Sequence, residues 1–502
     1  MEKNNKNLRL ILGIKLRQFR QQRDFSLKEL AEKAKVSVSY LSEIEKGKKY
    51  PTPEKIMQLA EALGVSFDEL VTLKVNEELN PLTTILDSPL LHEFPFQIFG
   101  IEPRAIVDLV KSSPLKAGAL LRTLVDIGQN YDMKVEQFLF AALRSYLKMH
   151  ENYFEEIEKA AQAFIAAHQW ATEPPLPLTR LQEVLVHEYH YQVDEKTLHA
   201  YPELQGFRSI RMDSNPPRLL LNGKLMPVQK AFIIGRELGY SYLNLKERAT
   251  TSSWLMVESF EEVLNNALAS YFSGALLLNR DLLVQDLTAF FHDTRWEGEA
   301  LLRMMQRYGA TPEMFFYRLS QLLPKLFGLK EMFYLRFNNV AGSEEYTLTK
   351  ELNMSRVLVP HGIGLNEHYC RRWLTVRLLK ELAESQKRGA AGHVLVGAQR
   401  SRFIDSDAEF FVITMTRSLA LTEHANSSIT LGFLLNDDFK KTVRFWDDPA
   451  IPLLEVNETC ERCGLSSQAC RERAAPPVIY EKKREQRLRE QALQKLMVDL
   501  KA

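Results

Sequence analysis

The chain has no apolar run approaching the ~20 residues needed to cross a bilayer. Its start, MEKNNKNLRL, is polar where a secretory signal needs an apolar stretch. Neither membrane insertion nor secretion is expected, and a cytoplasmic location is. Cysteine is scarce: four in 502 residues, none before Cys370. That count excludes a disulfide framework for most of the chain, and in a reducing cytosol clustered thiols read as ligands or redox groups. Net charge is also nearly absent, at +1, so the chain as a whole has no bulk attraction for a polyanion.

What is present is ordinary globular composition, 45% hydrophobic and 26% charged, in a chain too long for one core. The charge is unevenly placed. Residues 1–55 hold fourteen Lys and Arg against seven Asp and Glu, a basic segment suited to phosphate, while the rest is slightly acidic.

That basic segment reads as five short helices. Leu8, Ile11, Leu12, Leu16 and Phe19 make one face of a helix over 8–23. Ser26 and Glu29 form a capping box that starts a second, with Leu27, Leu30, Ala31 and Ala34 as its apolar residues. A turn at 35–37 leads to a third over 38–46, with Leu41 and Ile44 inward and Gly47 as its stop. Pro51 and Pro53 shape the entry to a fourth, and Gly64 and Ser66 lead into a fifth.

The run LKELAEKAKVSVSYLSEIEKGKKYPTPE within 8–72 resembles the Cro/C1-type (XRE) helix-turn-helix family. The resemblance implies binding to a double-stranded DNA operator, with the third helix in the major groove. Carried over by position, Val38, Ser39, Ser42 and Glu43 would read base edges. Ser26, Lys28, Tyr40, Lys46, Lys48 and Lys49 would position phosphates. Arg20 and Glu45 match a pair that braces the first helix against the third.

Residues 73–172 show helical periodicity broken by prolines, with 116–128 and 134–168 amphipathic. A connector that packs or dimerises is expected. His187 and His190 stand three apart with no third ligand nearby, so a plain surface or core pair is expected.

Pro174, Pro175 and Pro177 mark a boundary. A helix over 179–190, strand-like runs at 206–212 and 217–222, a helix over 228–240 and another over 258–278 follow. This order is similar to the ImmA/IrrE metallopeptidase-like family, whose active members bind zinc through two His at i and i+4 around a Glu general base. Here the register reads RELGY: Glu237 stands, but Arg236 and Tyr240 replace both His, and the third, acidic ligand falls at Asn265 or Asn266. A guanidinium cannot coordinate zinc, so a protease acting on a repressor is the disfavoured alternative. Reuse of the site for a ligand is expected instead, with Arg236, Glu237 and Tyr240 lining it and Arg236 meeting an anion.

The cysteines are spaced Cys460-x2-Cys463-x6-Cys470, with Cys370 upstream. Thiolates so spaced suit zinc or an iron–sulfur cluster, and reduced thiols without metal are the plain alternative. Arg371, Arg372, Arg462, Arg471 and Arg473 could offset their charge. Runs at 392–416 and 428–435 read as strands, and Arg400, Arg402 and Arg417 among them could meet a phosphate. A charged helix over 481–500 carries a stripe of Leu488, Ala492, Leu496 and Leu500, suited to docking.

Taken with the ending in which Arg473, Ala474, Pro476 and Pro477 follow Cys470, the chain resembles the short-chain fatty acyl regulator family from residue 8 to about 478. It departs in a longer gap between Cys463 and Cys470 and in Arg371 where proline is common. The resemblance implies a transcription factor that controls acetate or propionate use, senses short-chain acyl-CoA and can hold a 4Fe–4S cluster on Cys370, Cys460, Cys463 and Cys470; a homodimer is expected. An antitoxin-like repressor without ligand sensing is the other alternative. The expected architecture is multidomain: an all-α helix-turn-helix domain (8–72), a helical connector (73–172), an α+β ImmA/IrrE-like domain (173–345), a small α+β Cys-containing domain (346–478) and a charged helical tail (479–502).

Overall fold

A computed structural model describes residues 12–71, 135–170, 173–251, 259–356, 367–389 and 393–500, apart from positions 14, 18, 21, 46–48, 405 and 407. The chain forms two compact units, 1–139 and 140–502.

In the first unit, helical residues between 12 and 22 are followed by helices Leu27–Lys33, Val38–Glu45, Pro53–Leu63 and Phe67–Val71. Their starts are set by side chains. Ser26 and Glu29 cap each other's backbone reciprocally, and Ser66 and Glu69 do the same for the last helix. Gly64 ends Pro53–Leu63 in the left-handed conformation, φ 63°. Leu16, Leu30, Leu41, Ile44, Leu59 and Leu63 are buried in one cluster. A Cβ on Gly13 would run into the Ile44 carbonyl, so glycine lets the first helix lie against the third. Leu8, Ile11 and Gly47 lie outside the described residues, as does most of the expected connector, including 116–128.

The second unit starts within the helix Val135–Met149, which is followed by Glu155–Ala167. The single amphipathic stretch expected over 134–168 is thus two helices. Glu151 and Asn152 take positive φ, and Asn152 donates from Nδ2 to Ser320 Oγ at 3.1 Å. Helix Leu178–His187 leads into a three-stranded sheet, β1 (Gln192–Asp194), β2 (Ser209–Met212) and β3 (Arg218–Leu221), ordered β1-β3-β2. Helices Pro227–Tyr242 and Phe260–Leu277 then pack closely. Gly235 permits this, since a Cβ there would stand 2.6 Å from Ser273 Oγ.

After helices Arg280–His292, Gly298–Arg307 and Pro312–Leu326 comes a six-stranded sheet. Its strands are β4 (Met332–Val340), β5 (Thr347–Asn353), β6 (Leu395–Phe403), β7 (Glu409–Ser418), β8 (Ala425–Leu434) and β9 (Leu453–Val456). The order is β5-β4-β8-β7-β6-β9, antiparallel except for β6 with β9. Alternation along the strands divides the sheet's two faces. Phe411, Ile413 and Met415 join the large core with the preceding helices, while Phe410 and Val412 pack with helix Leu374–Lys387 on the other side.

This sheet corrects the expected boundary at 345/346, which falls between β4 and β5, two directly paired strands. One hydrophobic cluster runs from Leu147 to Ile451, so 173–345 and 346–478 share a core rather than each owning one. The last helix, Val478–Asp499, has no buried residue; Leu488 and Leu496 are more than half exposed. Among the described residues no helix is long and apolar enough to cross a membrane.

Candidate DNA-reading face, thiol corner and cationic cavity

The helix Val38–Glu45 starts with Ser37 Oγ accepting from the Tyr40 amide at 3.1 Å. Its inward residues, Leu41 and Ile44, are fully buried, leaving Val38, Ser39 and Glu43 exposed and Ser42 half-buried. The expected base readers therefore lie on its accessible side. Ser26, Lys28 and Lys49 are also exposed, and the Lys49 ammonium lies 5.0 Å over the Tyr40 ring and 4.0 Å from Glu43. Lys46 and Lys48 lie outside the described residues. Arg20 holds Glu45 with two hydrogen bonds of 2.7 and 3.0 Å and donates a third to the Phe25 carbonyl, bracing the first helix against the third.

On Pro227–Tyr242 the three expected ligand residues are engaged with protein. Arg236 donates to Ser209 Oγ at 3.3 Å and lies 3.6 Å from Glu237. Glu237 is buried, with Arg248 3.6 Å away on its other oxygen. The Arg248 guanidinium covers the Tyr240 ring at 4.8 Å, and the Tyr240 hydroxyl donates to Asn266 at 3.4 Å. Burial, in first place, raises the Tyr240 pKa, so its hydroxyl stays protonated. Asn265 is turned to the Glu247 carbonyl. Arg236 is thus paired with a carboxylate, not poised alone for an anion.

The four cysteines meet at one corner of the six-stranded sheet. Tyr369 and Thr459 form an isolated bridge, with the Cys370 amide donating to Glu458 and the Cys460 amide to His368. All four thiols are buried and unbridged. Burial pushes the Cys370 thiol up to about 12 and also raises Cys470; Cys460 and Cys463 add to the first, Cys463 to the second. Such thiols are inert alone, and a metal would have to displace their protons. Among the described residues no three His, Cys, Asp or Glu are gathered tightly enough around a point to hold a metal ion. The donor set therefore does not fit a single tetrahedral ion as it stands.

The expected offsetting arginines are mostly spent on carboxylates. Arg462 binds Glu367 and Glu458, and Arg372 lies 3.3 Å from Glu472. Arg371 is buried against the Tyr346 ring and donates to the Glu344 carbonyl.

A cavity with about 150 Å³ of accessible space lies between the helices and the six-stranded sheet. It is lined by Arg208, Glu313, Tyr317, Arg336, Lys350 and Arg417, with Gln229 and Phe232 from the Pro227–Tyr242 helix. Arg417 grips Glu313 with bonds of 2.9 to 3.1 Å, and Arg336 lies 3.8 Å from the same carboxylate while donating to Ser427. Burial works against the Glu313 charge, but Arg417 and Arg336 outweigh it and hold its pKa at about 2. Burial first and Arg336 second oppose the charge on Arg208. Arg336 and Lys350 are direct partners across β4 and β5, a like-charge pair that costs stability in a sheet. Lys350 lies over the Tyr317 ring at 3.4 Å. Burial, then Arg336 and Arg208, pull its pKa down to about 7.

Residues 16–70 match the Helix-turn-helix family and residues 192–320 the IrrE N-terminal-like domain. The HTH-type transcriptional regulator RamB of Mycobacterium tuberculosis is 22% identical over 343 residues, covering 62% of this chain and 65% of that protein. The propionyl-CoA carboxylase regulator of Cereibacter sphaeroides is 22% identical over 333 residues, with the same coverage. The chain thus spans about 65% of the length of these relatives. A solved structure of a Mycobacterium tuberculosis transcriptional regulator aligns over 67% of this chain and 94% of that one, at 18% identity and a TM-score of 0.45.

The chain thus carries a helix-turn-helix segment and an IrrE-like domain, and is similar over part of its length to transcriptional regulators. Sequence reasoning named Arg417 as a possible anion group but missed Arg208, Glu313, Arg336 and Lys350. Only the register of β4 on β5 brings two of them together. Arg400 and Arg402, named with Arg417, are instead paired with Glu409 across β6 and β7.

Proposed function

We propose that this chain is a transcriptional regulator of short-chain fatty acid metabolism. It binds double-stranded operator DNA through the exposed side of Val38–Glu45, as a homodimer in the cytoplasm. The observation that carries the reading is that accessible recognition helix, joined to a body whose zinc-ligand positions hold Arg236 and Tyr240. The similarity to a propionyl-CoA carboxylase regulator supports the metabolic setting. We read the body as a sensor and not a protease, because neither a guanidinium nor a protonated phenol replaces an imidazole ligand.

The effector of this reading is a short-chain acyl-CoA, and the cationic cavity, with room for a phosphate-sized group, would meet one of its phosphates. Phosphate groups suit the guanidiniums of Arg208, Arg336 and Arg417. Cys370, Cys460, Cys463 and Cys470 would hold a 4Fe–4S cluster, which would supply sensitivity to redox state. Either input must favour one DNA-binding state over another, or no switch exists. Footprinting on operator DNA with and without propionyl-CoA tests this: the expected result is a changed footprint, and identical affinity with acetyl-CoA, propionyl-CoA and CoA overturns the sensing. Absorbance of anaerobically purified protein tests the cluster, with a broad band near ~400 nm from thiolate-to-iron charge transfer expected.

A further inference from the structure

The cavity between the helices and the six-stranded sheet has a charged lining and an apolar one. Arg336 on β4, Arg417 on β7 and Arg208 just ahead of β2 bring three guanidiniums to the one carboxylate of Glu313, without counting Lys350, which stands exposed on β5. Thr311, Glu313 and Met314 also place the first turn of the Pro312–Leu326 helix on the cavity, and the positive end of its dipole adds to the guanidiniums. Arg417 spends Nε and one Nη on Glu313, and Arg336 spends Nε on Ser427. A guanidinium has five N–H donors, so both retain capacity for a second oxyanion. The apolar lining is Phe232 and Ile233 of the Pro227–Tyr242 helix with Met314, and Phe232 and Met314 are only half-buried.

We propose that this cavity binds a free monocarboxylate of roughly two to four carbons. The inference goes beyond the acyl-CoA reading and does not require it, sharing only the cavity. Volume sets the upper limit. The accessible space is about 150 Å³, and an apolar cavity of about that size takes benzene, a ring of six heavy atoms. Butyrate has the same number. Charge selects the head group: a carboxylate leaving water needs charged hydrogen-bond partners, and a planar guanidinium can meet it through two parallel bonds. Phe232, Ile233 and Met314 select the tail, since they offer apolar surface that inorganic phosphate has nothing to cover. Each methylene buried there strengthens binding about fourfold. The same guanidiniums would meet a phosphate of acyl-CoA, so the free acid and the thioester would exclude each other at this cavity and act as rival inputs.

Isothermal titration calorimetry of the full-length protein, at constant ionic strength in chloride, compares acetate, propionate, butyrate, hexanoate and inorganic phosphate. The expected result is affinity that rises about fourfold per carbon from acetate to butyrate and drops at least about tenfold at hexanoate. Affinity that keeps rising through hexanoate overturns the size-limited site. Phosphate binding without carboxylate binding overturns this inference and leaves a phosphate of acyl-CoA as the occupant. Binding of neither overturns the cavity as an anion site in both readings. Two variants place the ligand. Gly274 lines the cavity from the Phe260–Leu277 helix, and a Cβ there would meet nothing nearer than 3.9 Å. Gly274→Ala is therefore accommodated, helped by alanine's higher helix propensity, and should move the optimum from butyrate to propionate. Arg336→Gln, checked for unchanged thermal unfolding, should weaken every carboxylate at least about tenfold and keep the order of chain lengths. An unmoved optimum in Gly274→Ala overturns the placement, whether or not the arginine variant folds.

Discussion

Two ionic clusters, one buried and one partly open, lie side by side against the Pro312–Leu326 helix, and they obey opposite rules. Arg318 is almost wholly inaccessible, and each of its charges is answered. Glu158 takes two of its hydrogen bonds, the Leu278 carbonyl and Gln321 two more, and the Tyr271 hydroxyl donates to Glu158 at 2.7 Å. Burial pushes the Glu158 carboxyl up, but Arg318 outweighs it and its pKa ends below the usual range. One turn away, Arg208, Arg336, Lys350 and Arg417 surround the single carboxylate of Glu313. The first cluster is closed and works as architecture. The second is overcharged, a state that costs stability without a ligand and that a bound anion relieves.

Breaking the closed cluster should do most damage. Arg318→Met leaves Glu158 buried and unanswered, and about 3–5 kcal/mol of stability should be lost. Urea unfolding of the second unit, followed by tryptophan fluorescence, measures it. The double change Arg318→Met with Glu158→Leu should restore most of the loss, since two apolar groups need no partner. If the single and double variants unfold alike, the pair is not the unit described.

In the open cluster, Glu313→Gln should cost less, about 1–3 kcal/mol at neutral pH, because the cavity admits water to the stranded guanidiniums. The sign of its pH dependence is fixed by the depressed pKa. The contribution of Glu313 is complete above the unfolded value of about 4.3 and is lost as pH falls toward about 2. The variant should therefore show a shallower acid loss, and it should bind phosphate more tightly than the parent. Lys350→Met should go the other way and stabilise the protein. With the folded pKa near 7 and the unfolded one at about 10.4, the unfolded chain binds more protons between them. Stability of the parent should rise with pH across that window, and the rise should vanish in Lys350→Met, as thermal melts at several pH values would read.

The difference between the clusters also marks how far sequence could reach. The helix-turn-helix was legible because its instructions are local: Ser26 and Glu29 cap within three residues, Gly64 stops a helix in place, and Leu41 and Ile44 declare a face. The Arg236–Tyr240 substitutions were legible for the same reason, although the Arg248 that completes their charge balance lies on a separate loop. The cavity was not legible. Its cations come from four separate places in the chain, and β4 and β5 must pair in one register before Arg336 faces Lys350. The boundary drawn at 345 failed on the same hairpin, because which strands share a sheet is a long-range matter that no local signal states.

A charge pair outside both clusters supplies the weakest case and the sharpest control. Glu43 and Lys49 lie 4.0 Å apart with both side chains more than half exposed, so solvent screens them and the pair is worth ~0–1 kcal/mol. Glu43→Gln should leave the melting curve of the protein almost unmoved. Its effect should appear instead in DNA choice: a carboxylate on the reading face accepts from a cytosine amino group, and an amide prefers adenine. Selection from random duplexes by parent and variant would therefore change at one or two base positions, with total affinity for unselected DNA slightly increased as a negative charge and its hold on Lys49 are both removed. A large drop in stability with unaltered base preference would place Glu43 among the closed, architectural charges, alongside Glu45 and Glu158, and take it off the reading face.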